Sequence, residues 1–267
     1  MDGYRNLIVD LDAAGTLSIS LNRPEAQNAI NGAMIQELLA AMEQASQRKG
    51  IRMVVFRGEG PVFCGGLDTQ WTQEMGSADH LTNLNDAKTF ARMLDLVDVF
   101  PRPVVAELHG SVVGDALGLV CACDSAVASA ETVFQLPHLR YGIVPSCVAP
   151  YLIAKTGGSH ARHLMLTGRP IDAQRAREIR LIHDIVPRAG DLAAATECLA
   201  ADLRLAAPVA LKTCKRLIRR LTYHGHSLLT ADTLEDIAQC LSENRTGAEV
   251  KEGLEAAAAN RPPAWTT

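Results

Sequence analysis

The sequence predicts an α/β fold. Two observations carry that expectation: short apolar runs of strand type that end in glycine-containing turns, and a second half that is almost continuously helix-forming. The alternating runs Leu7-Ile8-Val9-Asp10-Leu11 and Thr16-Leu17-Ser18-Ile19-Ser20-Leu21 flank Ala13-Ala14-Gly15 and read as paired strands. From Ala33 to Gln47 apolar residues recur at helical spacing, with Asn31 placed to cap the first turn. Met53-Val54-Val55-Phe56 is a further apolar strand, and it leads into Gly60-Pro61-Val62-Phe63-Cys64-Gly65-Gly66-Leu67-Asp68. Val104 to Leu108 is the next, and the small residues from His109 to Leu119 behind it read as a turn that opens a helix. Helices dominate from Ser146 onward. Between Asp191 and Asn260 the helical pattern hardly breaks, with Pro208 suited to a first turn and Gly247 to a junction. The pattern divides into a core over 1–190 and a helical C-terminal region over 191–267, one structural unit with no Ser/Gly-rich linker and no repeat.

Composition narrows the function classes. A chain of 267 residues that is 48% hydrophobic can bury one sizeable core. A net charge of -4 leaves no electrostatic footprint for nucleic acid. The basic run Lys212, Lys215, Arg216, Arg219 and Arg220 has mixed spacing along one helix and reads as a solvated face or a subunit contact. No apolar stretch is long and charge-free enough to span a bilayer, and no signal peptide precedes Leu7, so a cytoplasmic protein is expected. Seven cysteines scattered through apolar segments suit a reducing compartment. Cys121-Ala122-Cys123 lacks a second pair at zinc spacing and reads as small core residues, so no metal is expected.

The two glycine turns are the candidate chemistry. A turn that opens a helix presents unpaired N–H groups, and such groups can hold an oxyanion that exists only in a transition state. Close backbone packing is the competing explanation for either turn alone. Two turns of this kind could aim two donors at one oxygen.

The segment Asn22-Arg23-Pro24-Glu25-Ala26-Gln27-Asn28-Ala29-Ile30 resembles the N-terminal signature of the crotonase (enoyl-CoA hydratase/isomerase) superfamily. Phe63 to Asp68 resembles that family's first oxyanion loop, and His109 to Asp124 its second oxyanion turn with the helix behind it. Phe134-Gln135-Leu136-Pro137, Tyr141-Gly142-Ile143-Val144-Pro145 and Leu166 to Ala173 continue the likeness, which covers nearly the whole chain. The resemblance implies a ClpP-like spiral of ββα units around two roughly perpendicular sheets, then a helical region that builds a homotrimer or hexamer. It implies a substrate carried as a thioester on CoA or on the phosphopantetheine of an acyl carrier protein, with no other cofactor. The oxyanion hole would be the N–H groups of Leu67 and Asp115, and the pantetheine arm would pass Ala26, Cys64, Gly66 and Gly114. Cys64 is expected to pack, not to react.

The departures from the family pattern are as informative. Typical hydratases carry one glutamate in the helix after the second turn and another just beyond the Phe-x-x-Pro segment, and these positions fall on Gly118 and His138. Asp115 stands where a glycine is usual. It reads either as a cap for its own helix or as an acid/base group reaching into the pocket. His138 is the stronger proton-transfer candidate because imidazole titrates near neutrality, and Arg140 and Tyr141 are its neighbours in sequence. Phe63-Cys64, Leu117-Gly118 and the run from Tyr141 to Ile153 resemble the polyketide β-branching dehydratases, which act on a carrier-bound 3-hydroxy-3-methylglutaryl group; His138 departs from that branch, which tends to keep an acid there. At the C-terminus Asn260 replaces the lysine that meets a CoA phosphate in many relatives, leaving Arg261 or Arg23 for that contact. The expected activity is a dehydratase or hydratase on a 3-hydroxyacyl thioester. The alternatives are an enoyl-thioester isomerase, a decarboxylase, or a non-catalytic thioester-binding protein.

Overall fold

The computed structural model describes residues 3–223 and 231–266, in two compact units, Met1–Glu197 and Cys198–Thr267. The first unit begins with the expected hairpin: β1 (Leu7–Leu11) pairs antiparallel with β2 (Thr16–Leu21), Val9 opposite Ile19. Strand β3 (Met53–Gly58) then lies parallel to β2, and β4 (Val104–Leu108) parallel to β3. Between β2 and β3 runs α1 (Gly32–Gln47), whose Asn31 side chain accepts the Met34 N–H at 2.9 Å. It buries Met34, Ile35, Leu38, Leu39 and Met42 along one face. Each such side chain stabilises the fold by roughly 1.5–3 kcal/mol through apolar burial alone. Two more helices, α2 (Thr69–Ser77) and α3 (His80–Asp98), precede β4, and the capping acids are Asp68 and Asp79.

The small-residue segment after β4 departs from the expectation. It does not pass straight into a helix: Ser111–Val113 forms a short strand, β5, before α4 (Ala116–Ala122) begins. The reason is local. Val112 is fully buried, and two β-branched residues favour the extended backbone that lets β5 pair with β7 (Val133–Gln135) beyond β6 (Ser125–Ser129). Helix α5 (Ala149–Thr167), β8 (Ile171–Asp172), α6 (Ala173–Glu178) and β9 (Asp184–Val186) follow. The larger sheet runs in the order β1-β2-β3-β4-β6-β9, and β5-β7-β8 make a smaller one. Cys121 and Cys123 are buried at the end of α4, and no group of three or more metal-ligating side chains lies among the described residues.

Helix α7 (Leu192–Leu205) spans the boundary between the units, and the second unit continues with α8 (Pro208–Tyr223), α9 (Ala231–Arg245) and α10 (Ala248–Ala258). Residues 224–230, inside the stretch expected to be helical, lie outside the described residues. Pro208 opens α8 as anticipated, and Glu249 accepts the Val209 N–H at 2.8 Å and the Ala210 N–H at 3.0 Å, supplying the cap that the α8 sequence lacks. Arg261 forks onto Glu252 at 2.7 and 3.0 Å and holds its carboxyl down to about 2. No described helix is long and apolar enough to cross a membrane.

One side chain ties the N-terminal signature to the loop after β3. Asn28 is fully buried with φ +55°; its amide donates to the Glu59 and Val62 carbonyls at 2.8 and 2.9 Å and accepts the Arg23 N–H at 2.8 Å. Asn28→Ala strands those groups and keeps an unfavourable backbone angle, so it is expected to destabilise the protein by about 3 kcal/mol. Urea unfolding would show a lower midpoint, and an unchanged midpoint would refute this role.

Candidate active site

The two glycine turns converge because their backbones are bonded into one ladder. The Phe63 N–H donates to His109 O at 2.9 Å, Cys64 N–H to Ser111 O at 3.0 Å, and Val113 N–H to Cys64 O at 3.0 Å. Above the ladder Gly66 (φ +112°) and Gly114 (φ +64°) meet: a Cβ on Gly114 would lie 3.4 Å from the Gly66 Cα and 3.7 Å from the Leu67 nitrogen. Both backbones take angles that favour glycine. The next residue in each turn is the expected donor. Neither the Leu67 N–H nor the Asp115 N–H donates to another described residue, whereas Asp68 N–H is taken by Ile30 O and Gly114 N–H by Gln135 O.

Cavities open on both sides of this junction. One of about 260 Å³ is lined by Gly65, Leu67, Gly114, His138 and Tyr141. The other, about 310 Å³, is lined by Leu67, Asp115, His138, Trp71, Phe90 and Asp86. Leu67 and His138 border both.

His138 arrives by sheet register. Val113 pairs with Gln135, so the chain leaving β7 passes directly beside the second turn, and the His138 ring comes within 3.5 Å of where a Gly114 Cβ would sit. A 3₁₀ turn, His138–Tyr141, closed by left-handed Gly142, holds it there. The His138 Nε2 bonds the Asp115 Oδ1 at 3.1 Å. An ionised carboxylate only accepts, so Nε2 is the donor in this bond. The ring's Nδ1 is buried and has no partner among the described residues. The side chains are 3% (His138) and 13% (Asp115) exposed, so Asp115 is the member that faces the cavity more openly. Asp115 stands at the N-cap position of α4 yet its side chain makes no capping bond, and the residue borders the second cavity.

The other expected residues divide. Gly114 lines the first cavity. Cys64 is completely buried; its thiol donates to Asn28 O at 3.0 Å, and burial foremost pushes its pKa up to about 12. Its backbone N–H and carbonyl are both spent on the ladder, and the Gly66 carbonyl is taken by the Ile30 N–H, so in that loop the cavity wall is Gly65. The Ala26 carbonyl accepts the Ala29 N–H, and Ala26 borders neither cavity. Arg23 is fixed between Ala29 O at 2.7 Å and Asp68 at 2.8 Å. Tyr141 reaches the first cavity and Arg140 neither. Gly118 lies buried inside α4, where a Cβ would sit 3.1 Å from both Leu94 Cδ1 and Val148 Cγ2. Asp86, which no local sequence signal singles out, joins the second cavity from α3.

A family model described as enoyl-CoA hydratase/isomerase matches residues 12–267. The chain is 32% identical over 217 residues to Enoyl-CoA hydratase AKT6-1 of Alternaria alternata, spanning 81% of this chain and 70% of that protein. It is 30% identical to Enoyl-CoA isomerase/hydratase fer4 of Mycosarcoma maydis, spanning 96% and 94% respectively. A solved structure of an enoyl-CoA hydratase from Shewanella pealeana matches with a TM-score of 0.93 at 30% identity, over 98% of this chain and 96% of that one.

Two outcomes follow from the packing. Under native conditions iodoacetamide is expected to label exposed Cys198 and Cys214 and to spare Cys64, read by peptide mass spectrometry; labelling of Cys64 at the same rate would contradict its burial. Gly118→Glu is expected to lower stability by about 2 kcal/mol or more, because Leu94 and Val148 must move to admit it. A thermal melt matching the parent would show that the space exists after all.

Proposed function

The chain belongs to the enoyl-CoA hydratase/isomerase family, and from that premise we propose that it interconverts a 3-hydroxyacyl thioester and its 2-enoyl thioester by loss or addition of water. The observation that carries this reading is the Asp115–His138 pair set beside two unengaged N–H groups. The thioester oxygen receives the Leu67 and Asp115 N–H groups, which polarise the carbonyl and hold the enolate. Asp115, the more exposed member of the pair, removes the α-proton, and His138 behind it positions the carboxylate through Nε2. The same proton then passes to the β-hydroxyl as the Cβ–O bond breaks, so water leaves and the pair returns to its starting state. One pair thus does the work of the two absent glutamates.

The pantetheine arm would run along the first cavity past Gly65 and Gly114, with the acyl group in the second. Arg23 and Arg261 are both held in internal ion pairs, which favours a carrier-protein arm over the nucleotide of free CoA. The likeness of residues 141–153 to β-branching dehydratases supports the same carrier. A double-bond isomerase is the second reading, favoured by the presence of a single proton-carrying pair, which can move a proton between the α and γ carbons without water.

Mass spectrometry of the protein with crotonyl-CoA and with 3-hydroxybutyryl thioesters on CoA and on a carrier protein is expected to show interconversion by one water. Asp115→Asn keeps the backbone donor and removes the base, so it is expected to lower kcat by about 10²–10⁴-fold; His138→Ala should lose less, with His138→Gln recovering part of it. A shifted double bond without hydration would select the isomerase. Turnover within a few-fold of the parent in Asp115→Asn would overturn the assigned base.

A further inference from the structure

The second cavity has an unusual charge balance. Its lining includes Asp86 and Asp115 but no lysine or arginine. Asp115 is bonded to His138 at 3.1 Å, so its carboxylate has a partner within the cavity wall. Asp86 has no such match: it makes no ion pair with a described residue, it is half-buried, and its surroundings include apolar Trp71, Met75, Phe90 and Ile143. Burial foremost, then the charge of Asp115, pushes its carboxyl above the usual carboxylate range. Its position is defined, since Oδ1 and the Trp71 indole nitrogen both lie within 4 Å of where a Cβ on Gly32 would project.

We propose that Asp86 is a specificity determinant that excludes acyl groups ending in a carboxylate and accepts a hydrogen bond from an uncharged donor on the acyl group. The proposal rests on the thioester reading of the site given above. A carboxylate delivered into this cavity would meet a like charge across apolar walls with no cation to offset it, whereas a hydroxyl or amide N–H would find an acceptor. It runs against a 3-hydroxy-3-methylglutaryl substrate, whose terminal carboxylate would have to enter the same space. The substrate class is instead an uncharged acyl thioester, with a hydroxyl or similar donor distal to the reacting carbons.

Calorimetric binding of two matched thioesters of pantetheine, the arm that CoA and a carrier protein share, tests this without turnover: glutaryl-pantetheine and 4-carbamoylbutanoyl-pantetheine, which differ only in carboxylate against carboxamide. The parent is expected to bind the amide roughly tenfold or more tightly, and Asp86→Asn, nearly isosteric, to bring the two within about threefold. The parent ratio needs no variant, and circular dichroism checks that Asp86→Asn is folded. Equal affinities in the parent, or a ratio unchanged in Asp86→Asn, would overturn the role of Asp86 while leaving the thioester reading standing. Binding of neither ligand to the parent would remove both.

Discussion

Everything distinctive about the site depends on the backbone ladder between residues 63–64 and 109–113. It brings two loops, each leaving a different strand of the larger sheet, close enough for Gly66 and Gly114 to touch. Once they touch, the orientation of the following peptide planes is fixed, and the N–H groups of Leu67 and Asp115 are left without internal partners. The N-terminal signature serves the same geometry from below. Asn28 holds the loop by its carbonyls, Ile30 brackets Leu67 on both sides, and Arg23 clamps Asp68, itself the cap of α2. A motif recognisable by its sequence is thus explained by the loop it holds.

Asp115 joins two functions in one residue. Its backbone N–H is one of the two left without an internal acceptor among the described residues, the donors proposed for the thioester oxygen, and its side chain pairs with His138. A carboxylate beside a developing enolate is unfavourable unless it is turned aside. The bond to Nε2 ties Oδ1 to the imidazole, at the border of the second cavity. The Nδ1 on the other side of the ring is buried without a partner among the described residues, a polar atom whose burial nothing nearby offsets.

Much of the fold was legible because its signals are periodic. The hairpin, α1 with its Asn31 cap, and strands β3 and β4 follow from alternation or helical spacing strong enough to survive tertiary context. Strand β5 was not: three residues hold too little pattern to compete with the glycines around them, and only pairing with β7 makes them a strand. In the site, His138 and Asp115 could be found by comparison of position, but their bond spans 23 residues and depends on the β5–β7 register. Asp86 was invisible for a different reason. An aspartate on a polar helix face looks like every other solvated acid until neighbouring elements fold over it.

Gly118 shows how core packing constrains a substitution. Leu94 Cδ1 and Val148 Cγ2 both stand 3.1 Å from where a Gly118 Cβ would project, so a larger side chain there meets hydrocarbon that must give way. A side chain at position 118 is therefore coupled to the size of residues 94 and 148, and the three behave as one unit in any redesign of this wall.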